Sequence, residues 1–189
     1  MTANETVIEL SKAKMVLMLL GAIAFVGAGI WFLTLDAEAI RSGRSFRLFF
    51  NSPAFAYGLG VISIVVFGGF GIFTVKKLFD RKPGLIFNSE GVVDNASVAS
   101  PGLIPWPEIE GMRVFELSGQ KMLIVLVTDP QKYARNGNPL KRMLNRANAN
   151  MSGSPIYISA NSLDIGFPEL ISLFEKYLQK YGTTRRTSD

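Results

Sequence analysis

Two uninterrupted apolar runs dominate the first half of the chain. Residues 15–35 read MVLMLLGAIAFVGAGIWFLTL and residues 54–75 read AFAYGLGVISIVVFGGFGIFTV, and neither contains a charged side chain. At the helical rise each extends over roughly 32 Å, enough to cross a hydrocarbon layer of about 30 Å. Apolar on every face, such helices are stable in lipid and not in water. Their limits are marked. Lys12 and Lys14 precede the first run, Trp31 and Phe32 stand near its far end, and Asp36 and Glu38 close it. Ser52-Pro53 has the form of an N-cap and first-turn proline for the second run, Tyr57 falls near that interface, and Lys76, Lys77, Arg81 and Lys82 end it. The pattern predicts a transmembrane hairpin over residues 15–80. A cleaved signal peptide is disfavoured by the length of the first run, by Glu5 and Glu9 ahead of it and by the second run after it.

Beyond residue 82 the pattern changes to short apolar stretches between turn residues. Residues 84–87 and 92–94 flank Asn88-Ser89-Glu90-Gly91, a hairpin signal. Residues 103–104 lead into Pro105-Trp106-Pro107, and Ile109, Met112, Val114 and Phe115 continue as a strand. Residues 118–121 form a second candidate turn, and residues 122–128, MLIVLVT, read as a buried strand. A polar, basic segment occupies residues 129–150, in which Pro139 can open a short helix carrying Leu140, Met143 and Leu144 on one side. Residues 155–159 return to strand character. Residues 168–181 predict an amphipathic helix, with Leu170, Ile171, Phe174, Tyr177, Leu178 and Tyr181 on one face and Gly182 as a stop. The tail 183–189 is expected to be disordered. Strands followed by a closing helix predict an α+β domain over residues 81–182, with residues 1–14 as a leading segment.

Composition narrows the chemistry. There is no cysteine and no histidine. Disulfides, thiolate and imidazole metal sites, cysteine nucleophiles and histidine-based triads are therefore excluded. No G-x-x-x-x-G-K-[ST] phosphate loop occurs, and the glycines between Gly58 and Gly71 lie inside an apolar run. The formal charge of +5 divides unevenly. Residues 1–82 hold nine Lys/Arg against five Asp/Glu, and the remainder eleven against ten. An excess gathered around the apolar runs points to topology control and argues against a nucleic-acid surface. Six basic residues flank the runs on the outside (Lys12, Lys14, Lys76, Lys77, Arg81, Lys82) and three lie between them (Arg41, Arg44, Arg47), which places both termini in the cytoplasm.

Gly27 and Gly29 in the first run, and Gly58, Gly60, Gly68, Gly69 and Gly71 in the second, permit close approach of helices. With no charged residue in either run, packing of the hairpin itself is favoured over a conducting path. The connecting loop mixes Phe46, Leu48, Phe49 and Phe50 with arginines, as a segment lying in the interface does.

The stretches GLIFNSEGVVDNAS (84–97) and IPWPEIEGMRVFE (104–116), followed by the C-terminal amphipathic helix and preceded by a two-helix hairpin, resemble the pleckstrin-homology-like domains of small bacterial inner-membrane proteins. The likeness runs over residues 10–182 and rests on structural motifs. It implies a small β-barrel or sheet closed by a helix, a multi-pass protein of the bacterial inner membrane, and no catalytic residue. The segment 129–150 is an insertion relative to a minimal seven-strand domain of this kind.

Three groups of side chains stand out as candidates. Trp106 between prolines is expected to plug the core with its N–H bonded nearby. Glu108 and Glu110 are two apart, which suits the solvent side of a strand with Ile109 inward better than a paired-carboxylate acid–base site. Lys132, Arg135, Lys141, Arg142 and Arg146 make a basic cluster tethered close to a membrane, the arrangement that attracts anionic headgroups. The expectation is a membrane-anchored, non-enzymatic interaction module that needs no cofactor and binds membrane lipids, a protein partner or a second copy of itself. The alternative is an accessory subunit of a membrane enzyme or transport complex.

Overall fold

The computed structural model describes residues 5–42, 52–117 and 119–182. The interfacial residues Phe46, Leu48, Phe49 and Phe50 with Arg44 and Arg47, Ser118 of the second turn, and the tail 183–189 lie outside them. The chain forms two units, one made of residues 12–80 and the other of residues up to 11 together with those from 81 on.

The first unit is a helical pair, α1 (Lys12–Thr34) and α3 (Pro53–Leu78), with a short α2 (Ala37–Ser42) after α1. Both long helices are long and apolar enough to cross a membrane. Their outward side chains, among them Leu17, Ile23, Val65 and Ile72, are more than half exposed, unlike those of core helices in water-soluble proteins. The pair is joined where glycines meet. A Cβ on Gly29 would lie 2.8 Å from the Gly60 carbonyl oxygen, and one on Gly60 would lie 2.8 Å from that of Gly29. Only residues without a side chain allow backbones so close. Around this crossing Ser63 Oγ donates to the Phe25 carbonyl at 2.8 Å, Tyr57 donates to that of Leu35 at 2.8 Å, and the Phe25 and Phe67 rings stack at 4.2 Å. Gly27, Gly58, Gly68 and Gly69 have open space beside them and take no part in this contact.

The second unit is α+β. Its first sheet has the order β1 (Thr6–Ile8), β2 (Leu85–Phe87), β3 (Gly91–Asp94), β4 (Gly102–Pro105). Its second has the order β5 (Ile109–Leu117), β6 (Gln120–Val127), β7 (Ile156–Ile158). All described pairs are antiparallel. Between β6 and β7 lie α4 (Pro130–Ala134) and α5 (Pro139–Ser152), and α6 (Phe167–Tyr181) closes the chain. The β2–β3 turn is built by Asn88, whose side-chain oxygen accepts from the N–H groups of Glu90 and Gly91. Gly91 is required by close approach, since a Cβ there would collide with the Ile104 carbonyl of the paired strand.

Residues 1–14 hold more than a leading segment. Thr6–Ile8 pairs with β2 in the register Thr6–Phe87, Val7–Ile86, Ile8–Leu85. Beyond it the Ser11 N–H donates to the Ser162 carbonyl and the Asp164 N–H to that of Glu9, both at 2.9 Å. The Thr6 and Tyr177 hydroxyls share a hydrogen bond of 2.8 Å. In chain order, the helical pair is therefore spliced between two paired strands of one sheet.

One core unites the second unit. Leu85, Phe87, Val92 and Ile104 of the first sheet, Leu123 and Val125 of the second, and Leu170 and Phe174 of α6 are all fully buried in it. Trp106, in a 3-10 turn between the sheets, is 1% exposed. Its Nε1–H donates to the Asn88 carbonyl at 2.8 Å, and its ring packs against Phe87, Phe174 and Tyr177. The expected core role of this tryptophan is what the structure shows.

Candidate functional site: the basic segment between β6 and β7

The basic segment folds as two capped helices. Asp129 Oδ1 accepts from the N–H groups of Gln131 and Lys132, and Pro130 fills the first turn of α4. Asn138 Oδ1 accepts from the Lys141 N–H, and Pro139 opens α5. Gly153, at φ +83°, ends α5 in the left-handed conformation that a glycine adopts without cost. The caps matter because Asn145, Asn148 and Asn150 are poor helix formers.

Side chains fasten this segment to the domain. Asn145 is buried and its Nδ2 donates to the Tyr133 carbonyl at 3.2 Å, joining α5 to α4. Tyr133 is buried as well. At the far end the Arg113 guanidinium of β5 donates to the Ser152 carbonyl at 2.6 Å, and the Ser154 hydroxyl donates to that of Val125. The inward side of α5 is thus polar and its outward side carries apolar residues. Leu140 is 52% exposed, Met143 60% and Met151 66%. With Ala147 they repeat at three- and four-residue spacing, forming one stripe along the helix. The spacing of Leu140 and Met143 was legible in the sequence; that the stripe faces outward was not.

The five basic candidates do not act as one group. Arg135, Arg142 and Arg146 are exposed, and the last two lie one helical turn apart beside the apolar stripe. Lys141 is half-buried. Lys132 is tied to Glu108, its ammonium 2.6 and 2.7 Å from the two carboxylate oxygens. The Tyr133 hydroxyl donates to the same carboxylate at 2.8 Å. Hydrogen bonds from Lys132 and then Tyr133 hold the Glu108 carboxyl below the usual range. Burial, then the bond to Glu108, pushes the Tyr133 phenol up. Glu108 is thus a structural acceptor for the basic segment, while Glu110 is exposed on β5. Sequence reasoning missed this link because the partners are 24 residues apart on separate elements.

No acidic residue occurs between Asp129 and Asp164, so the surface of α4 and α5 contributes positive charge only. Among the described residues, no three Asp or Glu side chains are grouped so as to hold a metal ion. Comparison with family models, with curated proteins and with solved structures gives no match for this chain.

Proposed function

We propose that this protein is a membrane-anchored, non-enzymatic interaction module in which α1 and α3 cross a bacterial inner membrane, both chain ends are cytoplasmic, and α5 of a pleckstrin-homology-like domain rests on anionic lipid headgroups. The observation that carries this reading is the outward surface of α5, where Leu140, Met143 and Met151 lie exposed beside Arg142 and Arg146. A helix with apolar residues on one side and arginines next to them suits the boundary between headgroups and acyl chains. Each arginine near an anionic surface contributes about 1 kcal/mol, and the apolar side chains add their burial. Such a contact is weak alone. Covalent attachment to two membrane helices raises its effective concentration enough to keep it formed. The domain reading is supported by seven described strands in sheets of four and three with a helix at the end of the chain.

The chain lacks cysteine, so Met143→Cys supplies a single labelling position on the exposed side of α5. With an environment-sensitive fluorophore there, the full chain in nanodiscs is expected to show a blue-shifted emission when phosphatidylglycerol is present. The shift should be reversed by high salt and weakened by Arg142→Glu with Arg146→Glu. Identical spectra in anionic and zwitterionic discs would overturn the proposal.

A further inference from the structure

Within the helical pair, a groove of about 550 Å³ opens between α1 and α3, on the Lys76 side of the Gly29–Gly60 crossing. Leu19, Ala22 and Val26 line it from α1, at three- and four-residue spacing, and Gly68, Gly71 and Lys76 from α3. Small residues open it. A Cβ on Gly68 would meet nothing within 4 Å, and one on Gly71 would make only ordinary contact with Ala22 and Leu19 at 3.8 Å. At one end Phe67 lines the groove, its ring stacked on Phe25 at 4.2 Å. At the other stands Lys76, the one charged residue among those described that line it. Lys76 is exposed, whereas its neighbour Lys77 is bound to Asp80 at 2.9 Å. From Phe67 to Lys76 the helical rise gives roughly 13 Å, close to one leaflet of a hydrocarbon core of about 30 Å.

We propose that this groove holds one acyl chain of an anionic phospholipid, with the chain against Ala22, Gly68 and Gly71 and the headgroup phosphate at Lys76. Apart from Lys76 the lining side chains are apolar or absent, so they give a buried polar group nothing to bond, and the body of the ligand is apolar. Lys76 supplies a cation at one end, and an ammonium is a strong partner for a phosphate oxygen. The length matches one leaflet, so a lipid chain fits it end to end, whereas a helix of a second copy would need a seam running on past Phe67 through both leaflets. The inference rests on the reading that α1 and α3 cross a membrane, and it makes no use of the α5 surface.

The full chain in mild detergent is offered dioleoyl phosphatidylglycerol or dioleoyl phosphatidylcholine and weighed by native mass spectrometry. Arg142→Glu and Arg146→Glu are present throughout, so that α5 does not supply the anionic-lipid signal. One phosphatidylglycerol per chain is expected to be retained, with a preference over phosphatidylcholine of roughly fivefold, the factor that one lysine beside an anionic surface contributes. Lys76→Gln should remove that preference. Gly68→Leu, whose side chain would fill the groove, should abolish retention of both lipids, while Gly69→Leu, beside open space but outside the groove, should retain them as the parent does. Lys76→Gln changes an exposed position and keeps the test decisive even if Gly68→Leu fails to fold. The proposal is overturned if no lipid is retained, if Lys76→Gln keeps the preference, if a folded Gly68→Leu binds like Gly69→Leu, or if the chain is a dimer that Gly68→Leu splits. Carbonate extraction of the chain from membranes tests the underlying reading separately. Release by carbonate overturns membrane crossing and this inference together, whereas a chain that resists extraction yet retains no lipid overturns the groove alone.

Discussion

The ammonium of Lys132 lies between the two carboxylate oxygens of Glu108, at 2.6 and 2.7 Å, and so pins the start of the basic segment to the entry of β5. Because Glu108 has a lowered folded-state pKa, its contribution is complete above the unfolded carboxylate value of about 4.3 and disappears as pH falls through the folded value. Glu108→Gln is therefore expected to cost about 1 kcal/mol at neutral pH. The difference between variant and parent in thermal melts should close as pH falls below 4. A gap that stays constant with pH would assign the effect to shape and not to charge.

The strand ahead of the first helix is part of the core. Ile8 is 6% exposed, and Ile8→Ala is expected to cost about 2–4 kcal/mol. A fragment starting at residue 81 should be poorly folded, while residues 5–11 joined to it through a short Gly/Ser linker should restore the native spectrum. The measurement is amide dispersion by NMR. A well-dispersed fragment without residues 5–11 would show that β1 is dispensable.

Trp106→Ala is expected to destabilise the domain by about 3–5 kcal/mol, since the indole is the largest buried side chain. Trp106→Phe keeps ring packing but leaves the Asn88 carbonyl without its donor, at a cost of about 1–3 kcal/mol. Chemical denaturation of both variants orders them, and a phenylalanine as harmful as alanine would contradict the packing account.

Gly60→Leu should separate the helical pair, because even a Cβ at Gly60 would come within 2.8 Å of the Gly29 carbonyl. Cysteines placed at Phe25 and Phe67, whose rings stack, should be joined efficiently by a short thiol crosslinker in the parent and poorly in the Gly60→Leu background. Gly58→Leu, where space is open, should leave crosslinking unchanged.

Local patterns were readable wherever their cause was local. The turn at Asn88, the strand around Val125 and the helix with Leu170, Phe174 and Tyr177 on one face each carry their own periodicity or turn chemistry. Thr6–Ile8 did not, because a three-residue strand has too few positions for alternation and its partner is Leu85–Phe87, on the far side of two long helices. The extension of α5 to Ser152 was likewise hidden. Asparagine disfavours helix, and what holds it is the Asn145 bond to Tyr133 and the Arg113 bond to Ser152. For the basic cluster, spacing identified Arg142 and Arg146, but only the folded chain reveals that Lys132 is committed to Glu108.

The splicing of α1 and α3 between two paired strands imposes an order on biosynthesis. β1 leaves the ribosome first, yet its partner β2 emerges only after both long helices have been made. The domain cannot close until then, and in the proposed membrane setting it closes only when the chain has crossed the bilayer twice, bringing Ile8 and Leu85 back to one compartment. By the same reading, a chain that inserts a single helix would strand β1 opposite its sheet and leave the hydrophobic edge of β2 bare. On the proposed reading the completed sheet is a receipt for correct membrane insertion, and a misinserted copy exposes an unpaired strand edge of the kind that templates aggregation.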